Sequence, residues 1–149
     1  MLKSFALITL LATSTLASAN NAPIQCATLD KQQAAILFER WNNALKTGDS
    51  REVAANYTPD AVLLPTLSNQ PRTDLAGKLD YFNKFLKNKP VGTVDSSTVI
   101  TSCNSAIDTG TYTFRFSDTS AVKARYTFTY ALVDNQWLIT SHHSSAMPE

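Results

Sequence analysis

Two histidines, His142 and His143, are the only ones in this chain. They stand side by side in "WLITSHHSSAMPE", with Ser144 and Ser145 directly after them. A histidine titrates near neutrality, so it can move a proton or ligate a metal. A serine beside a histidine also suggests a nucleophile and its base. The surrounding residues alternate as a β-strand does, and strand neighbours point to opposite faces. His142 and His143 therefore cannot converge on one metal, and no metal or other cofactor is expected. Ser144 and Ser145 cannot be aimed at by the adjacent ring, and there is no G-x-S-x-G elbow. A strand does give one histidine to a pocket and the other to the outer face. A pocket histidine would do acid-base work on a small apolar or aromatic molecule, with a buried tyrosine donating to a developing oxyanion. Tyr126, in the preceding strand, is the tyrosine in reach. Asp60, Asp74 and Asp80 read as turn, cap and helix surface, so no pocket carboxylate is evident.

The hairpin "VDNQ" decides which histidine faces inward. A two-residue turn at Asp134-Asn135 pairs Tyr126 with His143. A three-residue turn with a bulge pairs Tyr126 with His142 and Arg125 with His143.

The elements that must position these residues follow a clear order. "TLDKQQAAILFERWNNALKTGD" reads as a helix capped by Thr28 or Asp30 and stopped by Gly48. Ala34, Leu37, Phe38, Trp41 and Leu45 form its apolar stripe. Asp49 and Glu52 have capping-box spacing and open a short second helix through about Tyr57. Pro59-Asp60 reads as a turn and "AVLLP" as a short strand. Thr73 or Asp74 caps a third helix, "DLAGKLDYFNKFLKNK", with Leu75, Leu79, Phe82 and Leu86 inward. Period two then takes over in four strands separated at Asp108-Thr109-Gly110, Ser117-Asp118 and Asp134-Asn135. Three helices and a strand followed by antiparallel strands make an α+β domain, with helices packed on one face of a curved, mostly antiparallel sheet. A pocket is expected where the sheet curls away from the helices. Asn56-Tyr57-Thr58 is formally a glycosylation sequon.

The chain has 149 residues, enough for one core. Residues 1–19 read as a signal peptide: Lys3, the apolar run "FALITLLATSTL", and the small-x-small site Ala17-Ser18-Ala19. The domain then spans 20–149, in the periplasm or outside the cell. Removing the leader takes one of 13 basic residues and leaves 12 against 12 acidic. With no basic run, neither nucleic acid nor an anionic membrane is a predicted partner. In an exported chain, Cys26 and Cys103 are expected to pair. Closing that loop contributes about 4 kcal/mol on the chain-entropy model. Two free thiols are the alternative.

"ERWNNALKTGD", "YTPDAVLLP" and "ARYTFTYALVDNQWLITSHHSSAMP" together resemble the nuclear transport factor 2-like superfamily, the cone-shaped α+β fold. Within it they are most similar to the association domain of calcium/calmodulin-dependent protein kinase II and its SnoaL-like exported bacterial relatives. The likeness covers residues 29–148, and Trp137 to Pro148 is its most specific part. It implies a homodimer or larger homo-oligomer built through the outer sheet face, and a deep pocket between sheet and helices. Phe128 and Ser144 stand where the kinase domain's pocket carries arginines, and Arg115 and Arg125 are the remaining strand arginines. No Gly-rich or catalytic kinase loop is present, and no basic amphipathic helix for calmodulin.

The resemblance favours the bulged hairpin. His142 then lines the pocket with Trp41, Tyr81, Tyr126, Phe128, Tyr130 and Ser144, while Arg125, Trp137 and His143 lie outside near a dimer interface. Both histidines could equally be packing residues. Two functions follow: an exported dimeric domain that binds a small apolar or aromatic ligand or serves assembly, or an isomerase, cyclase or dehydratase using His142 with Tyr126.

Overall fold

A computed structural model describes residues 26–66 and 68–148. The predicted leader and its cleavage site lie outside the described residues. Helix α1 (Lys31–Thr47) starts at Asp30, whose carboxylate accepts from the Gln33 amide while the Gln33 side chain accepts from the Asp30 amide. This reciprocal cap satisfies two helix-end donors at once. The helix ends at Gly48, whose φ of 74° is left-handed and suits a residue without Cβ. Ala34, Phe38, Trp41 and Leu45 are buried as the stripe requires.

Helix α2 (Ser50–Ala54) is shorter than expected, because Tyr57 belongs to the next element. Its cap Asp49 accepts from the Arg51 amide. Asn56 is buried, and its side-chain amide donates to the Glu52 and Val53 carbonyls at the end of α2. The sequon is thus folded into the structure.

Strand β1 (Tyr57–Leu64) contains Pro59 and Asp60 rather than turning there. It is an edge strand, where proline's missing N–H is tolerated. Its register breaks between Tyr57 and Val62. The Lys78 ammonium donates to the Pro59 and Ala61 carbonyls freed by that break. Helix α3 (Leu75–Phe85) is capped by Asp74 and runs into a short 3-10 turn, Leu86–Asn88. Its inward row is Lys78, Phe82 and Leu86, spaced by four. Leu75, expected inward, is 56% exposed, because Lys78 takes that row to reach the β1 carbonyls.

Strands β2 (Val91–Ser102), β3 (Ser105–Arg115), β4 (Ala121–Val133) and β5 (Gln136–Ala146) complete one sheet in the order β1-β5-β4-β3-β2. Only the β1–β5 pair is parallel. The β2–β3 turn lies at Cys103-Asn104, and Asp108-Thr109-Gly110 runs mid-strand instead of turning. Gly110 is required there by space: a Cβ would overlap the Ser96 carbonyl at the β2 bulge. Cys26 and Cys103 form a disulfide that pins the segment before α1 to this turn. The Ala27 amide and carbonyl also pair with Asn104.

The β4–β5 hairpin differs from both registers read from the sequence. Asp134 and Asn135 form a two-residue turn, with φ of 48° and 62°. Asparagine and aspartate tolerate that left-handed region best after glycine. Val133 pairs with Gln136 and Tyr130 with Ile139. Thr140 is then inserted as a bulge, so Thr129 pairs with Ser141 and Phe128 with His142. Tyr126 pairs with Ser144. One extra residue moves every later side chain to the other face. His142 faces inward for this reason, and not because of a longer turn. Before the bulge, Trp137 and Ile139 also face the helices. Ile139 is 1% exposed and Trp137 packs against the apolar core, so the outward placement of Trp137 is corrected.

Candidate functional site

α1, β1, α3 and the inner faces of β3, β4 and β5 enclose a cavity of about 340 Å³. Its walls are mostly apolar and aromatic, including Phe82, Phe85, Phe114 and Tyr81. Polar groups gather at one side: His142 and Ser144 from β5, Tyr112 from β3, and Thr66 and Arg72 from the segment between β1 and α3.

Of the residues expected to line a pocket, Trp41, Tyr81, His142 and Ser144 do so. Phe128, Tyr126 and Tyr130 do not. Phe128 is fully buried, with its ring stacked 4.1 Å from His142 and packed under Phe38 and Trp41 of α1. α1 covers this part of the sheet, so these side chains are core. The Tyr126 hydroxyl donates to the Asp108 carboxylate at 3.2 Å and lies 3.3 Å from the Ser96 carbonyl. His142 and Tyr126 are therefore not brought together as an acid-base pair. Arg125 and His143 are exposed on the outer face, as expected.

The tyrosines that meet His142 are Tyr57 and Tyr112. The Trp41 Nε1–H donates to the Tyr57 oxygen at 3.0 Å. The Tyr57 oxygen lies 2.9 Å from His142 Nδ1, and the Tyr112 oxygen lies 3.4 Å from His142 Nε2. Tyr112 donates to Ser144 Oγ at 2.6 Å, and Ser144 Oγ is hydrogen-bonded to Thr66 Oγ1. Burial holds the His142 pKa down to about 3, with His143 adding a small effect of the same sign, so the ring is neutral at ordinary pH. Burial likewise raises the Tyr57 and Tyr112 phenols, and lifts Tyr81 to about 12.

Arg72 bridges β1 through paired backbone bonds with Leu63. Its guanidinium donates to Asp80 at 3.1 Å, and Lys84 holds the other Asp80 oxygen at 2.9 Å. The Lys84 and Arg72 contacts keep the Asp80 carboxyl below its usual range. Arg72 Nε is buried and has no hydrogen-bond partner among the described residues. Most buried donors are paired, so this one is an exception.

A buried carboxylate does exist, hidden from the sequence by its turn-like context. Asp108 is 2% exposed and accepts from Ser97 and Tyr126. Burial raises its pKa, opposed by those two hydrogen bonds. It does not line the cavity, so it supplies no acid to His142. Among the described residues no three His, Cys, Asp or Glu side chains gather for a metal. Tyr112 was legible in principle, since it alternates inward with Phe114. Tyr57 was masked by the helix assigned to it, and nothing in the sequence marks Arg72 or Thr66.

The family model for the calcium/calmodulin dependent protein kinase II association domain matches residues 30–148. The chain belongs to that association-domain family. A solved structure from Xanthomonas campestris, a candidate association domain of this type, is similar at 45% identity and TM-score 0.77, over 83% of this chain and 95% of that one. A nuclear transport factor 2-like protein of unknown function from Pseudomonas putida shares the fold at 18% identity and TM-score 0.69, over 80% and 87%. The iota-carbonic anhydrase of a cyanobacterium, solved with bicarbonate, shares it at 17% identity and TM-score 0.74, over 87% and 99%. None of the curated proteins matches this chain. The association-domain fold, nuclear transport factor 2-like, is thus the one expected from the sequence. One arginine, Arg72, is among the residues that line this chain's pocket.

Proposed function

We propose that the cavity binds a small planar oxyanion of the bicarbonate or carboxylate class, and that binding is the protein's primary role. One observation carries this reading. Arg72, its guanidinium held by Asp80, lines a small, largely apolar pocket that also presents the Ser144 and Thr66 hydroxyls. A guanidinium pairs with planar oxyanions in preference to other acceptors. The apolar walls weaken competition from water and strengthen each polar contact. The expected apolar or aromatic ligand body fits the same walls, beside Tyr81 and Phe85.

A second reading rests on the same place: reversible hydration of carbon dioxide. The neighbour solved with bicarbonate favours it, as does a pocket with apolar space for the gas and donors for its hydrated form. A neutral His142 with a pKa near 3 is a weak base, so proton movement would pass along the hydroxyls and not rest on the ring. The isomerase or cyclase reading has less support, because among the described residues no carboxylate is hydrogen-bonded to His142 or lines the cavity wall beside it.

Titrating the purified protein with carbon-13 bicarbonate and with acetate, followed by NMR, tests binding. Saturable shifts at Ser144 and Arg72, weakened in Arg72→Gln, support it; unsaturable shifts of the wild type overturn it. Stopped-flow hydration of carbon dioxide tests the second reading, and a rate equal to buffer alone removes it.

Export and homodimerisation belong to this proposal. The Cys26–Cys103 disulfide is suited to an oxidising compartment. The outer sheet face, with Arg125, His143 and the half-exposed Ile107, is suited to a second copy. N-terminal sequencing of secreted material and native mass spectrometry test these two points. A retained leader and a strict monomer would refute them respectively.

A further inference from the structure

We infer that Tyr57 sets the direction of a one-way hydrogen-bond chain that starts at Trp41 and runs through His142, so that the pocket presents a surplus hydroxyl donor and selects a hydrogen-bond acceptor. Neither residue need touch the ligand through its polar atom. They act as positioning residues for the groups that do.

The direction follows from the donor inventory. An indole N–H can only donate, so Tyr57 must accept from Trp41. If Tyr57 also accepted from His142, its own hydroxyl hydrogen would be buried with no acceptor, a loss native structures avoid. Tyr57 therefore donates to Nδ1, and the single ring proton of the neutral imidazole lies on Nε2. That N–H points at the Tyr112 oxygen. Tyr112 in turn donates to Ser144, which is bonded to Thr66. Trp41, Tyr57, His142, Tyr112, Ser144 and Thr66 contribute one hydrogen each, and five bonds join them in line. One hydrogen is left over. Because the upstream bonds run one way, it belongs to Thr66 or Ser144, both of which line the cavity. The chain thus ends in a hydroxyl donor in a cavity that Arg72 also lines. A surplus donor there fits an acceptor and disfavours a ligand that can only donate.

The chain direction stands on its own; the ligand class deepens the oxyanion reading above. Long-range nitrogen-15 NMR of labelled full-length protein reports the ring tautomer and so separates the two. The expected result is a single Nε2–H tautomer for His142, unchanged when acetate is added. Tyr57→Phe removes the donor to Nδ1, whereas Trp41→Phe leaves Nδ1 as the acceptor of the Tyr57 hydrogen. The expected result in Tyr57→Phe is a mixture containing the Nδ1–H tautomer, with acetate affinity lower by about tenfold, one neutral hydrogen bond's worth. Trp41→Phe should keep the wild-type tautomer, and the wild-type spectrum itself carries the test if Tyr57→Phe fails to fold. Thr66→Val should lower affinity while leaving the tautomer as in the wild type. An Nδ1–H tautomer in the wild type or in Trp41→Phe, or an unmixed Nε2–H tautomer in Tyr57→Phe, overturns the chain direction. The expected tautomers with no acetate binding at all would leave the direction standing and overturn the oxyanion reading.

Discussion

Tyr57 and His142 lie 85 positions apart in the chain, and the phenol oxygen of one sits 2.9 Å from Nδ1 of the other. The contact joins the β1 edge to the strand beside it, through a ring that is 4% exposed. The groups facing that ring from α1, β1, β3 and β4 are Trp41, Tyr57, Tyr112 and Phe128. None is a carboxylate, so nothing there favours a charged imidazole.

His142 therefore makes stability depend on acid. Its folded pKa of about 3 lies below the ordinary value of 6.5. An unfolded chain takes up the proton as pH falls below the ordinary value; the folded chain refuses it until near the lower one. The contribution is complete above the ordinary value and lost progressively below it, at about 1.4 kcal/mol per pH unit. Urea unfolding from neutral pH down to about pH 5 should show this slope, flattened in His142→Gln. An acid limb of equal slope in both proteins would refute the assignment.

Asp108 should act with the opposite sign. Its folded pKa is raised by burial, so the ionised form opposes folding and protonation relieves that opposition. Lowering the pH through the raised value should improve wild-type stability relative to Asp108→Asn, within the falling trend set by His142. Paired denaturation midpoints of the two proteins across the acid range measure this. A constant difference between them would contradict it.

The bulge at Thr140 decides which histidine is inside. Diethyl pyrocarbonate should label His143 in the folded wild type and leave His142 untouched, read by mass spectrometry of peptides. Deleting Thr140 leaves Tyr130 opposite Ile139 and Phe128 opposite His142 in an unbulged ladder, so His142 should stay protected in that variant too. Labelling of His142 in the deletion variant would count against Thr140 as the bulged residue. Equal labelling of both wild-type rings would count against the register.

The disulfide closes a loop of 77 residues. Cys103→Ser should lower unfolding free energy by about 4 kcal/mol on the chain-entropy model. Chemical denaturation of the variant beside the oxidised wild type gives the number, and wild-type thiols that label without reductant would exclude the bond.

Helix α1 was legible from its cap, narrowed to Thr28 or Asp30, to its glycine stop, because those signals are local; the structure settles the cap at Asp30. The strands β4 and β5 were legible from alternation alone. Local signals misled at two places. Asp108-Thr109-Gly110 has turn composition, yet Gly110 is there to admit a neighbouring backbone. Pro59-Asp60 looks like a turn, yet edge position and Lys78 let the strand pass through it. In the site, His142, Ser144, Trp41 and Tyr81 were identified, while Tyr57, Thr66 and Arg72 were not.

Period, capping and composition by themselves determined the helices, the late strands and the α+β class, and the family was legible from the resemblance of three stretches to known proteins. These depend on neighbours within a few positions, which a sequence displays directly. The tertiary structure alone decided which ring faces the cavity, which tyrosines meet it and which arginine enters it. A single bulge at Thr140 inverts the faces of a strand, and bonds spanning 85 residues depend on how β1 is laid beside β5. Side chains so distant in sequence leave no periodic trace of their meeting, because only packing brings them within hydrogen-bond range.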